Sequence, residues 1–260
     1  MFDALAQLPT LAIVAIFTLF FTVVMFGTRL LVRRRVAAER QAELVTLAEA
    51  MNAPTGVAMA FLIGFAVTIT WGTINSAQTS VEKVAASAQD VAWLTHNLSD
   101  RDRAAAITKD LKDYLRAVSE EDVPRLAAGD VQELPSLVYL DRLEERVRGL
   151  AKHASASDPE ADRVLAVASN IAEGHVELLS IARRQLPVSV LWLLLTAGTL
   201  SCIVMGIVAT KVTRPFLLVG WALVSAMGIS VVLSLYNPFA GDVTVNFQPL
   251  RDGVERILAP

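Results

Sequence analysis

Apolar and polar positions fall into separate blocks along this chain. Four stretches without Asp, Glu, Lys, Arg or His cover residues 8–28, 55–74, 187–210 and 215–236. A helix rises about 1.5 Å per residue, so ~20 apolar residues cross the ~30 Å hydrocarbon core of a bilayer. The blocks predict an all-α integral membrane protein with four transmembrane helices, arranged as two hairpins around a helical extramembrane insert. The organisation follows as transmembrane helix 1 (1–32), a short cytoplasmic helix (33–53), helix 2 (54–75), the insert (76–186), helix 3 (187–210), helix 4 (215–236) and a tail with a short helix (237–260).

Between the second and third blocks the pattern becomes amphipathic. Val81, Val84, Ala88 and Val91 keep an apolar face at helical spacing, extending helix 2 into the insert. Ser99, Asp100, Arg101 and Asp102 read as a helix start, Pro124 as its end, and Gly129-Asp130 as a turn. A helix over 132–152 places Leu134, Leu137, Leu140, Leu143 and Val147 inward. Ser157, Asp158 and Pro159 supply an N-cap and a first-turn proline for a last helix, ~159–186. Asn52 to Gly56, with Pro54 at its centre, reads as a break that restarts the chain as helix 2. In the tail, Phe247, Leu250, Val254 and Leu258 form one apolar stripe.

Charge orients the spans. Arg29, Arg33, Arg34, Arg35 and Arg40 follow the first block, and Lys211 and Arg214 separate the third and fourth. The first helix usually dominates the positive-inside rule. This places 29–52 and 211–214 in the cytoplasm, and both termini and the insert on the extracytoplasmic side of an inner or plasma membrane. The first block lacks a basic lead and a small-residue cleavage pattern, so it reads as a retained anchor.

Candidate chemistry is sparse. Cys202 is the single cysteine and His96, His153 and His175 are scattered, so no metal or cofactor site is expected. Nucleophile elbows, zinc motifs and phosphate loops are absent, which argues against an enzyme. The runs Glu120-Glu121-Asp122 and Glu144-Glu145 read as solvated faces. Nothing marks a nucleic-acid partner. The expected partners are the lipid bilayer and either further copies of the chain or other subunits of a membrane complex.

The spans carry small residues at every fourth position: Ala60, Gly64, Thr68, Gly72 and Ser76 in helix 2, then Gly198, Cys202, Gly206 and Thr210 in helix 3, and Ala222, Ala226, Ser230 and Ser234 in helix 4. Small residues at this spacing let helices approach closely in lipid. The same stripes could instead line an aqueous path. Helix 2 is the better candidate for that role, because it adds Thr55, Thr70, Thr73 and Asn75. Phe61 and Phe65, one step round, could form an apolar constriction that gates by dewetting, or could face lipid or core.

Three motifs resemble one family. Arg183-Arg184-Gln185-Leu186-Pro187, followed by Leu191-Trp192-Leu193-Leu194 and Gly198, is similar to its basic entry into the third span. Asn237-Pro238-Phe239-Ala240-Gly241 resembles its terminal motif, and Tyr114 with Val118 and Glu121 its insert. Asn52, Gly56 and Trp71 also match. Together these residues resemble the bestrophin-like domain family of bacterial membrane proteins. Where that family often has a Glu-Ala pair after the second span, this chain has Val84-Ala85. The resemblance implies an oligomeric four-span protein and makes a channel one of two readings of function, the other resting on the large polar insert, the absent catalytic groups and the charge-free spans. One is an ion-channel-like assembly with helix 2 nearest its axis. The other is a non-conducting scaffold or accessory subunit that binds an envelope protein through its insert.

Overall fold

A computed structural model describes residues 8–153, 159–183, 186–213 and 215–258. The expected N-cap at Ser157-Asp158, the motif residues Arg184 and Gln185, and the loop residue Arg214 lie outside the described residues. The helices are α1 (Thr10–Arg35), α2 (Ala38–His96), α3 (Arg101–Arg116), α4 (Val123–Ala127), α5 (Pro135–His153), α6 (Pro159–Arg183), α7 (Val188–Val208), α8 (Leu218–Ser234) and α9 (Gln248–Leu258). No strand occurs among the described residues. Thr10–Arg35 and stretches within Ala38–His96 and Glu160–Lys211 are long and apolar enough to cross a membrane. The fourth apolar helix, α8, is shorter at 17 residues and is preceded by a 3₁₀ turn, Pro215–Leu217.

The chain divides into two compact units. Unit 1 comprises residues 1–72, 186–237 and 241–243, and unit 2 comprises 73–185, 238–240 and 244–260. In unit 1, α1 packs on both α7 and α8. Ile13, Phe17, Phe21 and Met25, at helical spacing on α1, fill its core with Leu194, Cys202, Ala226 and Ile229. The α2 residues Met59 and Ala66 join the same cluster. Unit 2 packs α3 against α5 and α9, and α5 against α6. Its centre holds Ile107, Leu111, Leu115, Leu143, Val147, Val164 and Ile171.

Two expected breaks are not breaks. Pro54 lies inside the 59-residue helix α2, so residues 33–53 are not a separate helix: 33–35 end α1, and the chain interrupts at Val36-Ala37. Proline removes one amide donor and crowds the carbonyl a turn back. The carbonyl left without its amide is that of Ala50, while the Thr55 hydroxyl donates to the Met51 carbonyl at 3.0 Å and the Asn52 carbonyl at 3.1 Å. Likewise Pro124 does not end its helix. A π-helical turn, Ala117–Asp122, carries the axis onward, and Pro124 falls in the first turn of α4, where its missing N–H costs little. The stop comes at Gly129, whose φ of 79° allows the chain to reverse. Asp100 caps α3 by accepting from the Arg103 amide at 3.1 Å, at the helix start read from the sequence.

Candidate functional site

Alternation of small and large residues gives α2 two distinct faces within unit 1. Met59, Ala66 and Thr70 are buried. On another face Ala60, Gly64, Thr68 and Gly72 are all exposed. A methyl group built on Gly64 or Gly72 would meet nothing within 4 Å. Phe61 and Phe65 project from the exposed side, 71% and 51% accessible, their rings nearly parallel with centroids 6.4 Å apart. The Thr68 hydroxyl donates to the Gly64 carbonyl at 2.8 Å, so its polarity is satisfied within the helix while its oxygen can still accept. Thr70, counted with the exposed threonines in the sequence, sits instead on the buried face, donating to the Ala66 carbonyl at 2.9 Å. Ser76, the fifth residue of the series, belongs to the part of α2 in unit 2 and is exposed there.

The α7 series has the opposite fate. Gly198, Cys202 and Gly206 are buried. A methyl on Gly206 would stand 2.6 Å from the Met25 carbonyl oxygen and 2.9 Å from Thr28 Cβ. One on Gly198 would stand 2.9 Å from the Phe21 ring. Here glycine is required by the approach of α1. Ala222, Ala226, Ser230 and Ser234 of α8 are buried too. A methyl on Gly228 would collide with the Ile63 side chain and one on Gly56 would stand 3.6 Å from the Trp221 ring, so α8 and α2 approach each other at these two glycines.

Arginines read as orientation signals also perform a structural task. The Arg29 Nε donates to the Ala209 carbonyl at 3.1 Å and its Nη2 to that of Val212 at 2.9 Å. Arg33 Nη2 donates to the Thr210 carbonyl at 2.7 Å. These carbonyls close the C-terminal end of α7, where cations are favoured. Lys211 pairs with Glu49 at 3.0 Å. At the other end of the bundle, Asp242 accepts from the Thr10 amide at 3.0 Å, capping α1. The Thr10 hydroxyl donates to the same carboxylate, and this bond, with that from the amide, holds the carboxyl below the usual range. None of these partners is adjacent in sequence, so no local signal marks them.

The family-motif residues are mostly terminators and anchors. Pro187, with ψ of 129°, sets the start of α7. Trp192 is half-exposed. Asn237-Pro238 follows the end of α8, and Gly241 turns the chain with φ of 99°. The Pro238 carbonyl accepts from the Val245 amide at 2.9 Å, and Phe239 is buried with its ring 6.2 Å from that of Phe247.

Unit 2 contains buried polar groups that the sequence reading missed. Asp122 does not share the solvated face of the two residues before it. Glu120 and Glu121 are exposed, but Asp122 is 1% accessible, and its Oδ1 accepts from the Ser136 amide at 3.3 Å in the first turn of α5. Burial raises its carboxyl above the ordinary range despite these bonds. Tyr114 and His175 are also buried, the hydroxyl 3.2 Å from Nδ1. Burial pushes the phenol far up and lowers the imidazole to about 4. Tyr114 therefore stays protonated and His175 neutral, and either group serves as donor in this bond according to the imidazole tautomer. Signals for this pair exist in hindsight, since Tyr114 and His175 occupy apolar-face positions of their helices. No group of three or more metal-ligating residues is assembled among the described residues.

Residues 19–250 match the family model described as Bestrophin-like domain. A crystal structure of a bacterial bestrophin homolog from Klebsiella pneumoniae, a point variant, superposes with a TM-score of 0.70 at 14% identity, covering 96% of this chain and 98% of that one. A second variant of the same homolog gives 0.69 at 16% identity, covering 95% of each chain. A crystal structure described as a membrane protein gives 0.72 at 16% identity, covering 94% and 97%. Comparison with functionally curated proteins finds no match. The structural likenesses establish the fold, and the match over most of its length means that the chain belongs to the bestrophin-like family of membrane proteins.

Proposed function

We propose that this chain is one protomer of a homo-oligomeric, ion-conducting assembly with four membrane spans. In it, α2 stands nearest the axis and presents Ala60, Gly64, Thr68 and Gly72 to the conduction path. The observation that carries the reading is the contrast among small-residue stripes. Those of α7 and α8 are covered by neighbouring helices of the same chain, whereas that of α2 is bare. A lipid-facing helix gains nothing from glycine, because bulky apolar side chains pack equally well against acyl chains. Small residues on an open face suit a second helix or a water column. Phe61 and Phe65, stacked on that side, are suited to an apolar constriction. The bacterial bestrophin homolog to which the chain is similar supports the same reading. The spans lack a proton-relay residue, which favours passive conduction over proton-coupled carriage.

Purified protein in planar bilayers is expected to carry current. Silence across several ions and voltages overturns the proposal. A native-detergent mass equal to several protomers supports the ring, while a monomer favours the accessory-subunit reading. The arginine count also proposes an extracytoplasmic insert and termini. A cysteine placed at the exposed Asp130 should then react with an impermeant maleimide in intact spheroplasts, and reaction only after lysis reverses the orientation.

A further inference from the structure

The end of α2, the face of α3 and the end of α9 enclose an open groove of about 940 Å³ within unit 2. Its charge is opposite to its surroundings. Residues 75–186 carry 14 Lys/Arg against 19 Asp/Glu, a net of −5. Yet the groove is lined by Arg101, Lys109, Lys112 and Arg256, with Asp90 as the one lining acid. The positions are set by helical geometry. Arg101, Ala105, Thr108 and Lys112 recur at intervals of three and four on α3, with Lys109 beside them, so the basic side chains share a face with two small residues. Thr95 and Thr108 meet across the floor, hydroxyl to hydroxyl at 3.3 Å.

These cations are not neutralised from within. Arg101 donates to the His96 carbonyl at 2.7 Å, closing the end of α2. Lys109, Lys112 and Arg256 form no ion pair among the described residues, although this unit pairs Arg103, Arg116, Arg146, Arg148 and Arg163 with carboxylates. Lys109 and Lys112 are three residues apart on one helix, where like charges repel. Both floor hydroxyls donate to carbonyls of their own helices, so attraction for an anion comes from the cations, and a concave basic wall focuses potential on one. The volume fits the range of small-molecule sites.

We propose that this groove binds a multiply charged oxyanion, of the phosphate or polycarboxylate class, through Lys109, Lys112 and Arg256. The oxyanion is carried by a soluble metabolite or by a lipid headgroup. The site is independent of whether the assembly conducts. Trp93 lines the groove and is 66% exposed, so it serves as a reporter.

The probe is inorganic pyrophosphate, titrated into the full-length protein in a non-ionic detergent and followed by calorimetry and tryptophan fluorescence. Saturable, salt-sensitive binding is expected. Lys109→Gln with Lys112→Gln should weaken it at least about tenfold, since each substitution removes a charge-assisted bond to the anion. Trp93→Phe should remove the fluorescence response but retain the heat. Arg142→Gln, exposed on α5 away from the groove, should change neither. No saturable heat, or equal loss in the Arg142→Gln control, overturns the proposal. So does unaltered binding by a double variant with an unchanged circular dichroism spectrum. Nanodiscs separate the sources. Pyrophosphate binding that persists in cardiolipin-containing discs assigns a soluble anion, and binding lost there but kept in phosphatidylcholine assigns the headgroup.

Discussion

The α2 and α7 stripes are almost identical as sequence patterns, a small residue every fourth position with two glycines in each, yet they meet different surroundings. On α7, Gly206 admits the α1 backbone and Gly198 the Phe21 ring to within distances that a side chain would not tolerate. On α2 the glycines face open space. Small residues mark where a helix can be approached, and only the neighbouring helix decides whether anything approaches. A stripe used inside the protomer is a stability element. One left open is available to another copy of the chain or to water.

This contrast is open to direct attack, and the strongest blow falls on α7. Gly206→Val forces two branches against the Met25 carbonyl, which is backbone and cannot give way, and should cost more than about 3 kcal/mol or abolish folding. Gly206→Ala, costing about 1–3 kcal/mol in a denaturant titration in mild detergent, keeps the effect measurable. Near-neutral behaviour would mean that α7 is not closely packed.

Acid separates the two units next, because the buried histidine lies in unit 2. Folded His175 titrates near 4 and the unfolded chain near 6.5, so the unfolded state binds more protons between these values. Its contribution is full above about pH 6.5, falls as pH drops through that window, and levels off below about 4; the loss is ~3 kcal/mol. Asp122, held above its ordinary value, acts in the opposite sense, since its ionised form is penalised in the folded state. The comparison is therefore between wild type and His175→Gln, which retains a partner for Tyr114. A stability–pH slope unchanged by the substitution would contradict the burial.

On the open face, Phe61→Ala and Phe65→Ala should leave protomer unfolding nearly unchanged and raise single-channel conductance severalfold. A loss of protomer stability of the size seen for core phenylalanines, about 3–5 kcal/mol, would place them in packing instead. The smallest effect is expected for Gly64→Ala. With no neighbour to meet the new methyl, it should stabilise the helix by about 0.5–1 kcal/mol. Destabilisation equal to that of Gly206→Ala would erase the difference between the stripes.

Much of the architecture was legible because it rests on local composition. Apolar runs of this length have few solutions other than membrane helices, since backbone groups in lipid must be satisfied within the segment. The cap at Asp100 and the turn at Gly129 were equally local, each depending on one side chain or one φ angle. The errors at Pro54 and Pro124 share a cause: proline predicts a break only if nothing compensates. Past Pro54 the helix is held by Met59 and Ala66 in the unit 1 core, and at Pro124 a π turn carries the axis onward.

What the sequence determined by itself was the medium, the helical class and the division into apolar rods and a polar insert, all consequences of hydrophobicity and period. The tertiary structure decided which stripe is covered, that Arg29 and Arg33 close the end of α7, that Asp122 is buried, and that Lys109, Lys112 and Arg256 share one groove. Each of these depends on partners distant along the chain. Residue spacing records which side chains share a helix face, but holds no record of what that face will meet.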